Sequence, residues 1–154
     1  MILFVNPRAT RPKNRRFPVS LMAIGAALPP EVDWEIVDGN LPDADPLAEL
    51  TRHVEAGRGG PDPVQVVAFT VMPGPQLVSA VPLAREFKAR HPDVPVVWGG
   101  NFGSLYTAPV LAAPYVDWVV RGQGEQTFVE LLEVLDGKRD PKTVAGLAFP
   151  NPDG

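Results

Sequence analysis

Five short apolar segments, separated by helical or turn-forming stretches, constrain the fold of this chain more than any other feature. They cover residues 2–6, 33–38, 64–71, 94–98 and 116–120. Short apolar runs bounded by Gly, Pro, Asn and Asp are typical of buried strands, and strands that alternate with helices favour a parallel sheet. The pattern predicts an α/β fold of the Rossmann-like, flavodoxin-like kind: a five-stranded parallel sheet in the order 2-1-3-4-5 with helices on both faces.

Three other segments carry further expectations. Residues 19–28 are apolar almost all round, which predicts a buried helix. An apolar stripe at helical spacing spans residues 77–87, and Pro82 within it predicts a helix that either starts late, near Ser79, or kinks. Residues 144–149 predict either a sixth strand or the beginning of a further segment.

The composition indicates a globular domain without thiol chemistry. The chain has 154 residues, 45% of them hydrophobic and 21% charged, which favours one globular domain. The absence of cysteine excludes disulfides, thiolate metal ligands, iron–sulfur ligation and cysteine nucleophiles within this sequence. The lack of cysteine fits a cytoplasmic protein. No apolar run approaches the roughly 18 residues that span a bilayer, so no membrane partner is expected.

The charge is unevenly distributed along the chain. The net charge is −4, yet five of the 14 basic residues fall between positions 8 and 16, namely Arg8, Arg11, Lys13, Arg15 and Arg16. A basic loop on an acidic body suits a small anionic ligand better than a long nucleic-acid track, so no nucleic-acid partner is expected. A loop that is merely solvated remains an equal alternative.

Glycine-rich or polar stretches follow every predicted strand. Because the carboxyl ends of parallel strands share one edge of the sheet, where ligands of such folds bind, these stretches predict the binding site. Glycine turns after strands two to five indicate a wide, flat ligand across that edge, although loops that merely connect elements remain an alternative. The candidate ligand-binding residues are Asn6, Pro7, Arg8, Asp38, Gly39, Thr70, Val71, Met72, Pro73, Gly74, Gln76, Gly99, Gly100, Asn101, Phe102, Arg121, Gly122, Gln123, Gly124 and Glu125.

Several familiar kinds of site are disfavoured. The sequence has no GxxxxGK[ST] motif, and "GQGEQT" lacks the third glycine of GxGxxG and follows the fifth strand instead of the first. His53 and His91 fall on predicted surface helices or helix ends, so no metal cluster is expected. Ser79 and Ser104 lack a histidine at a strand end, which disfavours a catalytic triad, and a lone Asp38 is typical of a loop cap.

Seven motifs distributed over nearly the whole chain resemble one known family. The sequence is similar to the N-terminal cobalamin (vitamin B12)-binding domain of cobalamin-dependent radical S-adenosylmethionine enzymes. The motifs are "ILFVNPR", "RFPVSL", "EIVDGNL", "TVMPGPQ", "VVWGGNFGSLY", "APYVDWVVRGQGE" and "TFVELL".

The resemblance implies a specific use for the third and fourth strand exits. Cobalamin domains of the methionine synthase type carry SxL and then a glycine pair, and here Thr70-Val71-Met72 and Gly99-Gly100 stand at those positions, separated by residues 73–98. By this resemblance, the Thr70 hydroxyl bonds the dimethylbenzimidazole tail, and the two glycines leave room for it.

Two departures from the family pattern qualify the implied function. The related DxHxxG motif should follow the first strand, but "NPRATRPKN" contains no histidine, which implies base-off binding with no protein ligand to cobalt. The CxxxCxxC motif is also missing, so S-adenosylmethionine and the 4Fe-4S cluster would belong to a partner radical domain absent from this chain. The resemblance therefore implies a cobalamin-binding domain over residues 1–150, with 151–154 as the start of the linker to that domain. A free-standing cobalamin carrier is the alternative. The implied role is to present cobalamin to that domain for radical methyl transfer or related chemistry, without catalysis by this chain alone.

Two other functions remain open from the residues themselves. The chain could be a flavodoxin-like structural or regulatory domain that binds no cobalamin. It could also bind a nucleotide or flavin at the same edge of the sheet.

Overall fold

A single sheet of six strands forms the centre of the structure, a computed structural model that describes residues 1–9 and 17–150. The strand order is β2-β1-β3-β4-β5-β6, and β1 to β5 are parallel, which confirms the predicted order of the first five strands. The strands are β1 (Ile2–Asn6), β2 (Trp34–Asp38), β3 (Val66–Thr70), β4 (Val96–Gly99), β5 (Trp118–Val120) and β6 (Leu147–Ala148).

The sixth strand corrects the prediction of a wholly parallel, five-stranded sheet. β6 pairs with β5 in the antiparallel sense, with Val119 opposite Ala148. A 3-10 helix (Pro141–Thr143) precedes it, and the chain then returns to the carboxyl end of β5, where the Arg121 amide donates to the Gly146 carbonyl at 2.9 Å. The strand therefore enters from the edge at which β5 ends and runs back along it.

Six α-helices cover the two faces of the sheet in the part of the chain that the structure describes. The predicted late start of the third helix is wrong, because this helix begins at Pro75 and includes Pro82. Proline is well suited to a first helical position, since its missing N–H would lack a helical partner there anyway. The helices are α1 (Val19–Ala27), α2 (Pro46–Gly57), α3 (Pro75–Arg90), α4 (Gly100–Leu105), α5 (Thr107–Leu111) and α6 (Gly124–Leu135).

Alternate residues of each central strand point to opposite faces of the sheet, and each face has its own core. Residues such as Leu3 and Phe69 pack with α2, α3 and α5. Residues such as Phe4, Ala68 and Val97 pack with α1 and α6. This period of two along buried strands is what a parallel sheet covered on both faces requires.

The first helix is less buried than its composition predicts. Only Leu21 and Gly25 of α1 are buried, while Val19 is 67% exposed and Met22 46% exposed. One face of α1 packs on the sheet, where Gly25 lies directly against the Trp34 ring, and its other apolar face is left uncovered. The expectation of a helix buried all round is therefore wrong.

Within the described residues, no helix is long and apolar enough to cross a membrane.

Candidate functional site

A cleft with a volume of about 240 Å³ opens at the carboxyl edge of the sheet, on the face covered by α1 and α6. β1, β3, β4 and β5 form its floor, and the first two turns of the two helices form its sides. The lining residues are Phe4, Ser20, Leu21, Ile24, Ala68, Phe69, Thr70, Val97, Gly99, Gly100, Val120, Gly122, Gln123, Gly124, Glu125 and Phe128.

Thr70 and Gly99 lie side by side at the mouth of this cleft, because they are register partners at the ends of β3 and β4. Gly99 has an extended backbone, and a Cβ built on it would meet only ordinary contacts, the nearest being the Val120 carbonyl oxygen at 3.6 Å. The fold therefore does not require glycine at position 99. The space that a side chain at position 99 would occupy is part of the cleft.

Gly100 is required by the backbone instead. Its φ is +80°, and a Cβ on it would lie 2.9 Å from both the amide nitrogen and the carbonyl oxygen of Val71. An L side chain is strained in that conformation and would collide with the chain leaving β3. The two adjacent glycines therefore have different roles. The tight turn requires glycine at position 100, whereas glycine at position 99 leaves open space beside Thr70.

The loop after β5 is held against the loop after β4 by a serine. Ser104 donates its hydroxyl to the Gly100 carbonyl at 2.9 Å and accepts from the Gly122 amide at 2.9 Å. Gly122 has a φ of +71°, and a Cβ on Gly124 would lie 3.2 Å from Ile24, so α6 begins close against α1. The Gly122 amide, in the loop just before α6, is therefore already used within the protein.

A buried hydrogen-bond network fixes the loops after β1, β2 and β3. Gln76 donates to the Asn6 side chain at 3.0 Å and accepts from the Met72 amide at 2.8 Å. Asn6 donates to Asp38 at 2.9 Å, and the same Asp38 oxygen accepts from the amide and side chain of Asn40. Asp38 therefore has the loop-capping role that a lone aspartate at a strand end predicts.

Seven of the twenty residues predicted to bind the ligand line the cleft, and the other thirteen do not. Those in the cleft wall are Thr70, Gly99, Gly100, Gly122, Gln123, Gly124 and Glu125. Those outside it, in the segments around the same carboxyl edge, are Asn6, Pro7, Arg8, Asp38, Gly39, Val71, Met72, Pro73, Gly74, Gln76, Asn101, Phe102 and Arg121. A direct contact of these thirteen with a ligand stays a prediction.

Several residues that line the cleft were not predicted from the sequence. Leu21 and Ile24 of α1, Phe128 of α6 and Phe4 of β1 line the cleft, and they read in the sequence as ordinary core positions. Their membership follows from the sheet order, which brings α1 and α6 together over β1, β3 and β4. Ser20 adds a hydroxyl to the lining, and the "RFPVSL" motif was the available signal.

Of the five basic residues between positions 8 and 16, the structure describes Arg8. Arg8 donates through Nε to the Gly39 carbonyl at 3.2 Å, so part of its charge is used to join two loops. The predictions for Arg11, Lys13, Arg15 and Arg16 lie outside the described residues.

The two histidines occupy the expected elements but are buried, with 9% of His53 and 4% of His91 exposed. His53 lies in the C-terminal half of α2, and His91 caps the C-terminal end of α3. Because both helices start at the carboxyl edge of the sheet, these positions lie toward the opposite edge. Burial and the nearby Arg58 lower the pKa of His91, and Glu55 partly opposes them.

One cluster in the described residues has the composition of a cation site. Ligand atoms of Glu35, Glu49 and His53 lie within 4.8 Å of one another, a grouping that the sequence did not suggest. However, Nε2 of His53 already lies 2.8 Å from a guanidinium nitrogen of Arg52 and 3.4 Å from Glu35. We assign no ion to this cluster.

Comparison with known proteins identifies the family. The family model described as the B12 binding domain matches residues 9–132. Two solved structures share the fold over 99% of this chain. One is the radical S-adenosylmethionine methyltransferase TsrM from Kitasatospora setae with cobalamin and a [4Fe-4S] cluster bound (TM-score 0.80, 22% identity, 27% of that chain). The other is the cobalamin-dependent S-adenosylmethionine radical enzyme OxsB with aqua-cobalamin and S-adenosylmethionine bound (TM-score 0.79, 14% identity, 21% of that chain).

Curated relatives include proteins of two descriptions. An anaerobic magnesium-protoporphyrin IX monomethyl ester cyclase of Rubrivivax gelatinosus is 35% identical over 98 residues, which are 61% of this chain and 17% of the cyclase. An uncharacterized methyltransferase of Pyrococcus horikoshii is 29% identical over 133 residues, 86% of this chain and 28% of that protein. The chain thus spans less than a third of the length of each of these relatives.

Proposed function

We propose that this chain, which belongs to the B12-binding domain family and is a cobalamin-binding domain, holds cobalamin base-off with the nucleotide tail in the cleft beside Thr70 and Gly99. The observation that carries the proposal is the cleft itself. It is largely apolar, it opens at the carboxyl edge of the sheet, and Gly99 leaves space in its wall that the fold does not need. A flat aromatic base is a ligand that such a slot accommodates.

The chain's residues fit this cofactor in both shape and chemistry. Phe4, Leu21 and Phe128 offer apolar surface to the ring system of a dimethylbenzimidazole tail, while the Thr70 hydroxyl at the mouth can bond its nitrogen. When bound, cobalamin supplies cobalt-centred group transfer, and the protein supplies binding and orientation. The described residues of this chain hold the tail, exclude water from the cleft and fix the surrounding loops through the Asn6–Gln76 network.

Base-off binding without a protein ligand to cobalt is supported by the positions of the histidines. The loop after β1 contains none, and the chain's two histidines lie in α2 and at the C-terminal end of α3. Both are buried, and both lie toward the edge of the sheet opposite the cleft mouth. An imidazole from this chain is therefore out of reach of a corrin placed over the strand ends.

The proposed partner is a radical S-adenosylmethionine domain that carries the 4Fe-4S cluster and S-adenosylmethionine. Exposed apolar residues beside the cleft support such a partner: Phe17 is 86% exposed, Val19 67% and Met22 46%. Apolar patches of this kind mark interaction surfaces. The relatives named as methyltransferases support radical methyl transfer as the chemistry of the assembled enzyme.

A spectroscopic titration tests the proposal. The full chain is titrated with hydroxocobalamin, freed of excess ligand by gel filtration, and the bound cofactor is reduced to Co(II) for electron paramagnetic resonance. We expect a stoichiometric complex and a base-off signal without nitrogen superhyperfine splitting. Failure to bind would contradict the proposal, and so would nitrogen splitting. Parallel titrations with a flavin mononucleotide and ATP test the two alternative ligands, which we expect not to bind.

A further inference from the structure

We infer that the cleft selects among cobamides by the polarity of their lower base, accepting a benzimidazole and disfavouring adenine. This inference rests on the proposed function, since it assumes that the nucleotide tail enters the cleft. It starts from the distribution of polar side chains in the cleft wall. Among the lining residues, only four have polar side chains: Ser20, Thr70, Gln123 and Glu125.

All four polar side chains lie at the mouth of the cleft. Thr70 ends β3, Gln123 immediately precedes α6, and Ser20 and Glu125 are the second residues of α1 and α6. Both helices start at the carboxyl edge of the sheet, which is where the cleft opens. The polar groups therefore form a rim that can contact the ribose, the phosphate and one nitrogen of the base.

The interior of the cleft is apolar. One helical turn beyond the rim, Ile24 and Phe128 line it from the two helices. Phe4, Ala68 and Val97 line it from the strands, at positions before the strand ends, and none is more than 5% exposed. Their side chains contain only carbon and hydrogen, so the inner wall offers no hydrogen-bonding side chain to a base.

The backbone of the inner wall is also committed. β1, β3 and β4 each lie between two neighbouring strands, so their amide and carbonyl groups are used in the parallel ladders. A buried polar group that finds no partner loses the hydrogen bonds it made with water. The inner wall should therefore weaken the binding of any base whose leading edge carries polar atoms.

Adenine and dimethylbenzimidazole differ in this respect. The six-membered ring of dimethylbenzimidazole presents only carbon and methyl groups, whereas that of adenine carries two ring nitrogens and an exocyclic amino group. An apolar pocket rejects a ligand that only adds a polar group by a limited factor, of about a hundredfold. We therefore expect the cobamide with adenine as its lower base to bind at least tenfold more weakly than cobalamin.

Equilibrium titrations of the full chain with three cobamides test the inference. The lower bases are dimethylbenzimidazole, unsubstituted benzimidazole and adenine. Unsubstituted benzimidazole is smaller but apolar, so we expect it to bind within a few-fold of cobalamin, with adenine far weaker. Equal affinity for cobalamin and the adenine cobamide would overturn the inference, and so would an equally weak benzimidazole cobamide. If cobalamin itself does not bind, the proposed function fails, which is a distinguishable result.

Two matched variants on β4 locate the cause of the selectivity. Val97 and Val96 are both buried, but Val97 lines the cleft, whereas Val96 belongs to the core on the other face of the sheet. Val97→Thr places a hydroxyl in the inner wall and should reduce the preference for cobalamin over the adenine cobamide several-fold. Val96→Thr should leave the ratio unchanged. An unaltered ratio in Val97→Thr, or an equal change in both variants, would overturn the inference.

Discussion

Thr70 and Gly99 are paired in register at the ends of two adjacent parallel strands, at the mouth of the cleft. The pairing places a hydroxyl next to a position with no side chain, although the extended backbone at Gly99 would accept any residue. Its neighbour Gly100 shows the opposite relation, because there the backbone alone demands glycine. Replacing Gly99 and replacing Gly100 should therefore have different effects on the protein.

Gly100→Ala should destabilise the domain whether or not cobalamin is present. The new Cβ would lie 2.9 Å from the Val71 backbone, and the φ of +80° strains any L residue. We expect the free energy of unfolding to fall by about 1–3 kcal/mol. Denaturant unfolding of the cobalamin-free protein measures this, with Gly99→Ala as the matched control. Equal stability of the two variants would contradict the assignment of Gly100 to the turn.

Gln76→Ala should loosen the loops around the carboxyl edge. Gln76 is 5% exposed, and its removal leaves the buried Asn6 side-chain oxygen and the Met72 amide without the partner that each has here. We expect a loss of about 1–3 kcal/mol in unfolding free energy. The control is Gln126→Ala, which removes an exposed side chain whose one hydrogen bond among the described residues is to Glu130, and it should cost much less. Similar losses in both variants would show that the network is not important for stability.

His91 should make the domain less stable in mild acid. Burial, followed by Arg58, lowers the pKa of His91 from its ordinary value of 6.5, and Arg90 acts in the same sense against Glu55. The unfolded chain then binds a proton more readily than the folded one. The contribution is therefore fully present above the ordinary value and is lost as pH falls from about 6.5 through the lower folded pKa.

The test compares wild type with His91→Gln in urea unfolding between pH 5 and 8. We expect the wild type to lose stability more steeply than the variant as the pH falls below about 6.5, after the common effect of the carboxylates is subtracted. Parallel pH profiles for the two proteins would show that the imidazole titrates alike in the folded and unfolded states.

Replacing the histidines should leave the cofactor spectrum unchanged. His53 and His91 are buried and lie away from the mouth of the cleft, so neither is placed to reach a cobalt atom there. We expect His53→Ala and His91→Ala to give the same Co(II) electron paramagnetic resonance signal as the wild type, provided that each variant retains its far-ultraviolet circular dichroism. A change of the cobalt signal in either variant would identify that histidine as a ligand.

The order of the first five strands could be predicted from the sequence because each buried strand has its own apolar run, and right-handed crossovers leave few arrangements. The short strand β6 could not be assigned, since "VAGLAF" is too short to show a period. The partial exposure of α1 could not be predicted either, because the sequence of a helix that is apolar all round does not indicate which face packs on the sheet. Pro82 was misleading because α3 begins seven residues before it, at Pro75, and continues through it.

The rim of the candidate site was more predictable than its interior. Glycine and threonine at strand ends point to Thr70, Gly99 and the start of α6, since strand ends converge at one edge. The inner wall, with Phe4 and Phe128, looks like ordinary core in the sequence and becomes a cleft only because α1 and α6 leave space above the sheet. The role of Ser104, which joins the loops after β4 and β5 by hydrogen bonds, could be recognised only in the structure.

Hydroxocobalamin affinity of Gly99→Val tests the central claim most directly. The valine side chain would project into the cleft from a backbone that tolerates it, so we predict a folded protein whose affinity falls about a hundredfold or more, or roughly 2.7 kcal/mol. The matched control is Gly60→Val, an exposed glycine at which a Cβ would have only ordinary contacts, the nearest at 3.5 Å. This variant should bind like the wild type. Wild-type affinity in a folded Gly99→Val variant would contradict the placement of the cobalamin tail in this cleft.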